Sequence, residues 1–213
     1  AHFVGHPLLD AISGLPEISA ENFKKENGLN DKEIIALLPG SREQEVEKML
    51  SLMLSVRDSF KNYQFVIAGA PSLPKEFYQK FVDDDVYFVS NKTYDLLRCS
   101  RAALVTSGTA TLETALLNVP EIVCYRTSKI SYEIGKRVVK NIKFISLVNL
   151  IMDKEVVKEL IQSQLNTENL VDELQKIMEG PKRDKMLQDY ELLREKLGGK
   201  GASNHAAEII VNL

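Results

Sequence analysis

The chain has 213 residues, 44% of them hydrophobic and 27% charged, with a formal net charge of −3. That is ordinary globular composition for one well-buried domain or two small ones, and it excludes disordered and fibrous architectures. A negative balance also lacks the broad cationic surface needed to hold a phosphate backbone, so nucleic acid is not expected as a partner.

No stretch approaches the roughly 20 apolar residues of a membrane span, and Ala1–Leu15 has no basic segment leading into an apolar run, so a soluble, unsorted chain is expected. Two cysteines, Cys99 and Cys124, stand among apolar residues, which is too few for a disulfide framework and suits a reducing cytoplasm.

In chain order, Ala1–Pro16 mixes apolar residues with Gly5, Pro7, Gly14 and Pro16, punctuation too dense for a regular element; it reads as a segment entering from something upstream. The apolar run Ile34–Leu38, a Pro39-Gly40-Ser41 break, and Val46, Met49, Leu50, Met53, Val56 and Phe60 at helical spacing predict strand, tight turn and helix. The unit repeats with strands at Phe65–Ala68, Val86–Val89, Ala103–Thr106 and Ile122–Tyr125. The helices between and after them fall at Lys75–Phe81, Tyr94–Cys99, Thr109–Asn118 and Ile130–Lys140.

Short continuous apolar strands alternating with helices predict an α/β fold with a doubly wound parallel sheet covered on both faces. Phe144–Met152 reads as a last strand or a buried loop. Val156–Gln164, Glu168–Met178, Lys182–Leu197 and Ser203–Val211 then read as helices, giving the domain a helical tail.

In such a sheet, ligands bind beyond the carboxyl ends of the strands, where helix N-termini offer N–H groups and positive dipole ends. Two turns carry suitable chemistry. In Leu38-Pro39-Gly40-Ser41-Arg42, Gly40 lets a ligand approach the backbone, Ser41 can cap the helix and Arg42 offers a fork of donors to phosphate. The plainer alternative pairs Arg42 with Glu45 or Glu47 on the helix surface. In Thr106-Ser107-Gly108-Thr109-Ala110-Thr111-Leu112-Glu113, small hydroxylated residues crowd one helix start more densely than N-capping requires, as in a pyrophosphate cradle. Glu113 either closes a capping box or offers a carboxylate to a ribose diol. Neither a G-x-G-x-x-G nor a Walker lysine motif is present, which argues against a dinucleotide site or a P-loop.

Asp83-Asp84-Asp85 has the form of a cation-binding D-x-D but precedes a strand, at the wrong end of the sheet, and reads as a solvated turn. His2, His6 and His205 lack paired ligand spacing, so no metal site is expected. Ser128–Phe144 sets Lys129, Lys136, Arg137, Lys140 and Lys143 against Glu133 alone. It reads as a sheet-covering helix with a basic edge or as a surface resting on an anionic membrane.

Taken together, Phe3-Val4-Gly5-His6-Pro7-Leu8, Leu37–Arg42, Ser107–Glu113, Val148-Asn149-Leu150, Glu159-Leu160-Ile161-Gln162 and Gly201-Ala202-Ser203 resemble, in order and approximate spacing, the lipid-A-disaccharide synthase family of GT-B glycosyltransferases. The likeness covers nearly this whole chain but only the second half of the family's protein, with Phe3–Leu8 resembling the passage between its two domains. One departure stands at Val148, where the family usually has proline before the asparagine.

The resemblance implies a linker over residues 1–16, a UDP-sugar-binding domain over 17–180 and helices over 181–213 packing back toward the missing N-terminal domain. It also implies transfer from UDP-2,3-diacylglucosamine to 2,3-diacylglucosamine 1-phosphate, releasing UDP, with no metal or other cofactor. Arg42 becomes a donor-phosphate ligand together with Gly40 and Ser41, Ser107, Gly108, Thr109, Ala110 and Thr111 the pyrophosphate cradle, and Glu113 the ribose partner. Asn149 and Gln162 stand near the donor cleft.

The family's proposed base is a carboxylate on the N-terminal domain, so this half alone should not turn over. The implied setting is the cytoplasm, at the inner membrane face if the basic stretch serves as a membrane surface. The alternatives are another UDP-sugar enzyme of the same fold, such as a UDP-N-acetylglucosamine 2-epimerase, and a nucleotide-binding module without turnover.

Overall fold

The computed structural model describes residues 4–83, 85–127, 143–199 and 201–211. Six strands form one all-parallel sheet: β1 (Glu33–Leu38), β2 (Tyr63–Gly69), β3 (Val86–Ser90), β4 (Ser100–Thr106), β5 (Glu121–Tyr125) and β6 (Lys158–Ile161), in the order β3-β2-β1-β4-β5-β6. The helices are α1 (Pro7–Ser13), α2 (Ala20–Glu26), α3 (Glu43–Leu54), α4 (Lys75–Gln79), α5 (Thr93–Arg98), α6 (Thr109–Leu116), α7 (Leu147–Met152), α8 (Thr167–Met178), α9 (Pro181–Lys196) and α10 (Ala202–Val211). The chain leaves β1 in one direction toward β2 and β3, then returns to β4 on the other side of β1. The winding therefore reverses between β1 and β4, and a crevice opens beyond their carboxyl ends.

Burial on both faces explains the unbroken apolar strands. In β1, Ile35 and Leu37 pack with Val46, Met49, Leu50 and Met53 of α3 and with residues of α6, α8 and α9, while Ile34, Ala36 and Leu38 face Phe23 of α2 and Leu96 and Leu97 of α5. Successive side chains point to opposite sides of a strand, so a strand covered twice must be apolar at every position.

Three expectations need correction. Residues 7–13 are helical, because the residues read as breakers are helix punctuation: Pro7 sits in the first turn, the His6 ring accepts from Leu8 N at 3.2 Å, and Gly14 ends the helix. Residues 144–152 are neither strand nor loop throughout, since Leu147–Met152 forms α7, capped by Ser146 Oγ and ended by Asp153 at φ +51°. Within Val156–Gln164, the expected helix is instead β6, paired with β5 from Ile122↔Lys158 to Tyr125↔Ile161. A four-residue strand is too short to show its period, and Val156, Val157, Leu160 and Ile161 also fit a helical spacing. The expected helix Ile130–Lys140 and most of the basic stretch lie outside the described residues.

Candidate functional site

A cleft of about 480 Å³ opens at the β1/β4 reversal, lined by Gly40, Ser41, Arg42 and Glu45 on one side and by Thr106 to Ala110 with Glu113 on the other. Both turns singled out in the sequence thus meet in one place.

On the first side, Gly40 holds φ +108°, and a Cβ there would stand 2.5 Å from Glu45 Oε2. The backbone demands glycine here, and the Glu45 carboxylate lying over it would have to swing aside for any side chain. The helix cap is Arg42 rather than Ser41: the Arg42 carbonyl accepts from Glu45 N and Val46 N, both at 2.9 Å, with no side-chain cap. Ser41 instead offers its carbonyl to Ser72 Oγ at 2.8 Å. The pairing of Arg42 with Glu45 or Glu47 does not form. Glu47 pairs with Lys80, and the exposed Arg42 guanidinium makes no ion pair among the described residues. An unpaired guanidinium beside the start of α3 adds to the positive end of that helix.

On the second side two of the hydroxyls are committed within the protein. Ser107 Oγ donates to Ile145 O at 3.2 Å, and buried Thr111 Oγ1 donates to Gly108 O at 2.9 Å. What remains for a ligand is backbone, with the Thr109 hydroxyl, which makes no hydrogen bond among the described residues. Gly108 is extended at the N-cap, no side chain caps α6, and Thr109 and Ala110, whose N–H groups open the helix, line the cleft. No atom stands within 4 Å of where a Gly108 Cβ would be, so the protein's own packing does not demand glycine there. Thr106, 7% exposed at the end of β4, has a buried hydroxyl with no partner among the described residues.

Glu113 closes no capping box, since the cap residue is Gly108 and makes no side-chain bond. Its Oε1 instead accepts from Tyr94 Oη at 2.9 Å. Burial first, then the Glu113 carboxylate, pushes the Tyr94 hydroxyl up to about 12. Sequence reasoning missed Tyr94, because an aromatic at the start of a helix reads as core and its partner is 19 residues away.

Asn149 and Gln162 are not part of the cleft lining. Fully buried Asn149 spends its amide inside the fold: Nδ2 donates to Val157 O and Glu159 Oε1, both at 2.8 Å, and Oδ1 accepts from Val156 N at 2.7 Å and Val157 N at 3.0 Å. Glu159 also accepts from Ile145 N and Ser146 N at 2.9 Å each, so these motif residues tie α7 to β6. Gln162 follows β6 at φ +53°, with its side-chain nitrogen buried and unpartnered among the described residues.

At the opposite end of the sheet, a cavity of about 510 Å³ includes Lys32, Arg57, Asp83 and Asp85. There Arg57 pairs with Asp83 and Lys32 with Asp85 at 3.1 Å, and neither Asp83 nor Asp85 lines the cleft. Among the described residues no cluster of three or more metal-ligating side chains occurs, and no helix is long and apolar enough to cross a membrane.

The family model for lipid-A-disaccharide synthetase matches residues 1–212. The lipid-A-disaccharide synthase of Syntrophus aciditrophicus is 39% identical over 99% of this chain and 57% of its own length. That of Persephonella marina is 35% identical over 99% of this chain and 58% of its own. The chain thus spans little more than half the length of these relatives.

Among solved structures, MnaA of S. aureus in a UDP co-structure superposes with a TM-score of 0.61 at 17% identity, covering 94% of this chain and 51% of that one. A UDP-N-acetylglucosamine 2-epimerase assignment from Listeria monocytogenes gives 0.60 at 18%, covering 94% and 50%. The CMP-Kdo binding domain of WaaA from Acinetobacter baumannii gives 0.51 at 14%, covering 82% of this chain and 96% of that domain. These likenesses show the fold, a parallel α/β domain of the GT-B type, while sequence decides between the families that share it: the chain belongs to the lipid-A-disaccharide synthase family.

Proposed function

We propose that the chain is the donor-binding half of a glycosyltransferase that joins UDP-2,3-diacylglucosamine to 2,3-diacylglucosamine 1-phosphate, releasing UDP and forming the disaccharide of lipid A. One observation carries the reading: the Pro39–Arg42 turn and the Ser107–Glu113 helix start converge on one cleft at the sheet's reversal point. A diphosphate spanning that cleft meets the N-terminus of α3 with Arg42 and the open N-terminus of α6, and the ribose falls to Glu113.

Chemically, transfer needs the departing diphosphate stabilised and the acceptor hydroxyl deprotonated. Arg42 and the two helix ends are set in advance for the first task, where fixed dipoles cost no reorganisation. The second falls to a carboxylate on the domain that precedes this half, together with the acceptor site, so proximity and base catalysis are both supplied from outside. The site as proposed uses no divalent metal, and the reaction belongs to the cytoplasmic face of the inner membrane.

Titration calorimetry with UDP in EDTA tests the donor site: binding is expected, and binding only with magnesium or manganese would overturn the metal-free reading. Disaccharide formation from both lipid substrates in detergent is expected for a fusion carrying a family N-terminal domain ahead of Ala1 and absent for the chain alone. Steady turnover by the chain alone would place a base and an acceptor site within it.

A further inference from the structure

We infer that Tyr94 is a positioning residue, which by its 2.9 Å hydrogen bond holds one oxygen of Glu113 so that the other is presented to the ribose of a uridine nucleotide. This rests on the proposed UDP site. The bond has one direction, because a carboxylate only accepts. Burial keeps the tyrosine protonated across the working range of pH, so the donor is not lost.

Both partners stand on fixed backbone. Tyr94 lies in α5, anchored by buried Leu96 and Leu97, and Lys92 just ahead of it ties to Asn27 Oδ1 at 3.2 Å. Glu113 lies in α6 between buried Leu112 and Thr114. What stays free in Glu113 is its own side-chain torsion, and the phenol removes that freedom before a ligand arrives. Its Oε2 accepts no hydrogen bond among the described residues, and Glu113 lines the cleft. A carboxylate held in advance does not have to be ordered on binding, so losing the clamp should weaken the ribose contact by about three- to tenfold.

The test is calorimetry of UDP and 2′-deoxy-UDP against the unsubstituted chain, Tyr94→Phe, Glu113→Gln and the double variant, with melting curves recorded for each. Phenylalanine keeps the ring and its packing. Tyr94→Phe is expected to weaken UDP about three- to tenfold, to narrow the preference for UDP over the deoxy analogue, and to add nothing once Glu113 is glutamine. If Glu113→Gln weakens UDP while Tyr94→Phe binds as the parent does, or leaves the ribose preference unchanged, the positioning role is overturned and the ribose assignment stands. Equal losses from Tyr94→Phe in both backgrounds would mean that the phenol acts on the ligand directly, which also overturns it. A Glu113→Gln variant that binds UDP normally overturns the ribose assignment itself.

Discussion

Two glycines on opposite sides of the cleft should respond to the same methyl group in opposite ways. At Gly40, alanine must adopt φ +108° and bring its Cβ to 2.5 Å from Glu45 Oε2 and 2.8 Å from its carboxyl carbon. The backbone strain alone costs about 1–3 kcal/mol, and moving Glu45 adds to it. A loss of about 2 kcal/mol lowers Tm by roughly 4–8 °C in a chain of this length.

At Gly108, the extended backbone accepts alanine and the added methyl touches no protein atom within 4 Å. A cost of about 1 kcal/mol for losing a favourable cap residue is offset by a gain of about 0.4–1 kcal/mol from a less flexible unfolded chain. Stability should therefore hold to within about 1 kcal/mol. The methyl does occupy space where a diphosphate would approach the first N–H groups of α6, and tenfold or weaker UDP binding, about 1.4 kcal/mol, is expected. Differential scanning calorimetry and UDP titration of the two variants separate these effects. A Gly108→Ala protein that binds UDP like the parent would refute the close approach of phosphate to this helix start.

Arg42→Ala should leave Tm nearly unchanged, since Arg42 is exposed and makes no ion pair among the described residues, yet weaken UDP by about 1.5–3 kcal/mol, the worth of a hydrogen bond to a charged group; calorimetry reads both. The Glu121 carboxyl is wholly buried without a hydrogen-bond partner among the described residues, and burial holds it well above the usual carboxylate range. A raised carboxylate stabilises the fold at low pH, so stability should fall as pH rises above its unfolded value by about 1.4 kcal/mol per unit while the folded form keeps its proton. Glu121→Gln should flatten that slope in urea titrations between about pH 5 and pH 7. Asp10 accepts from Gly201 N at 2.6 Å and Ser203 N at 3.0 Å, which lowers its acidity range, so its contribution is present above its unfolded value and lost as pH falls. In Asp10→Ala, hydrogen exchange at these two amides should quicken while β1 and β4 amides stay protected.

Strands β1 to β5 were legible because burial on both faces leaves a continuous apolar run, a signal carried by each segment alone. The two cleft turns were legible because glycine and small polar residues at a strand-to-helix junction serve few other purposes. Elements whose identity depends on distant partners were not. β6 takes its conformation from β5, and α7 is held by Ser146 and by the Asn149 network with residues 156–159. Asn149 and Ser107 drew notice as polar residues within motifs, but polarity alone does not tell an amide or hydroxyl spent on backbone from one kept for a ligand. Tyr94 was hidden for the opposite reason, since its ring behaves as core and only its last atom reaches the site.

The contacts at the two ends of the chain have a mechanical consequence. His6 N donates to Leu197 O at 3.1 Å, and Asp10 holds the amides of Gly201, just ahead of α10, and of Ser203 in its first turn, so the first and last described segments are stitched side by side although Asp10 and Gly201 are 191 positions apart. A tug on the segment entering α1 is borne by this stitch and by Leu9, which is buried in the main core. Leu9 of α1 packs in the core shared with Leu112 and Leu116 of α6, so the stitched pair is joined by direct packing to the helix whose start lines the cleft.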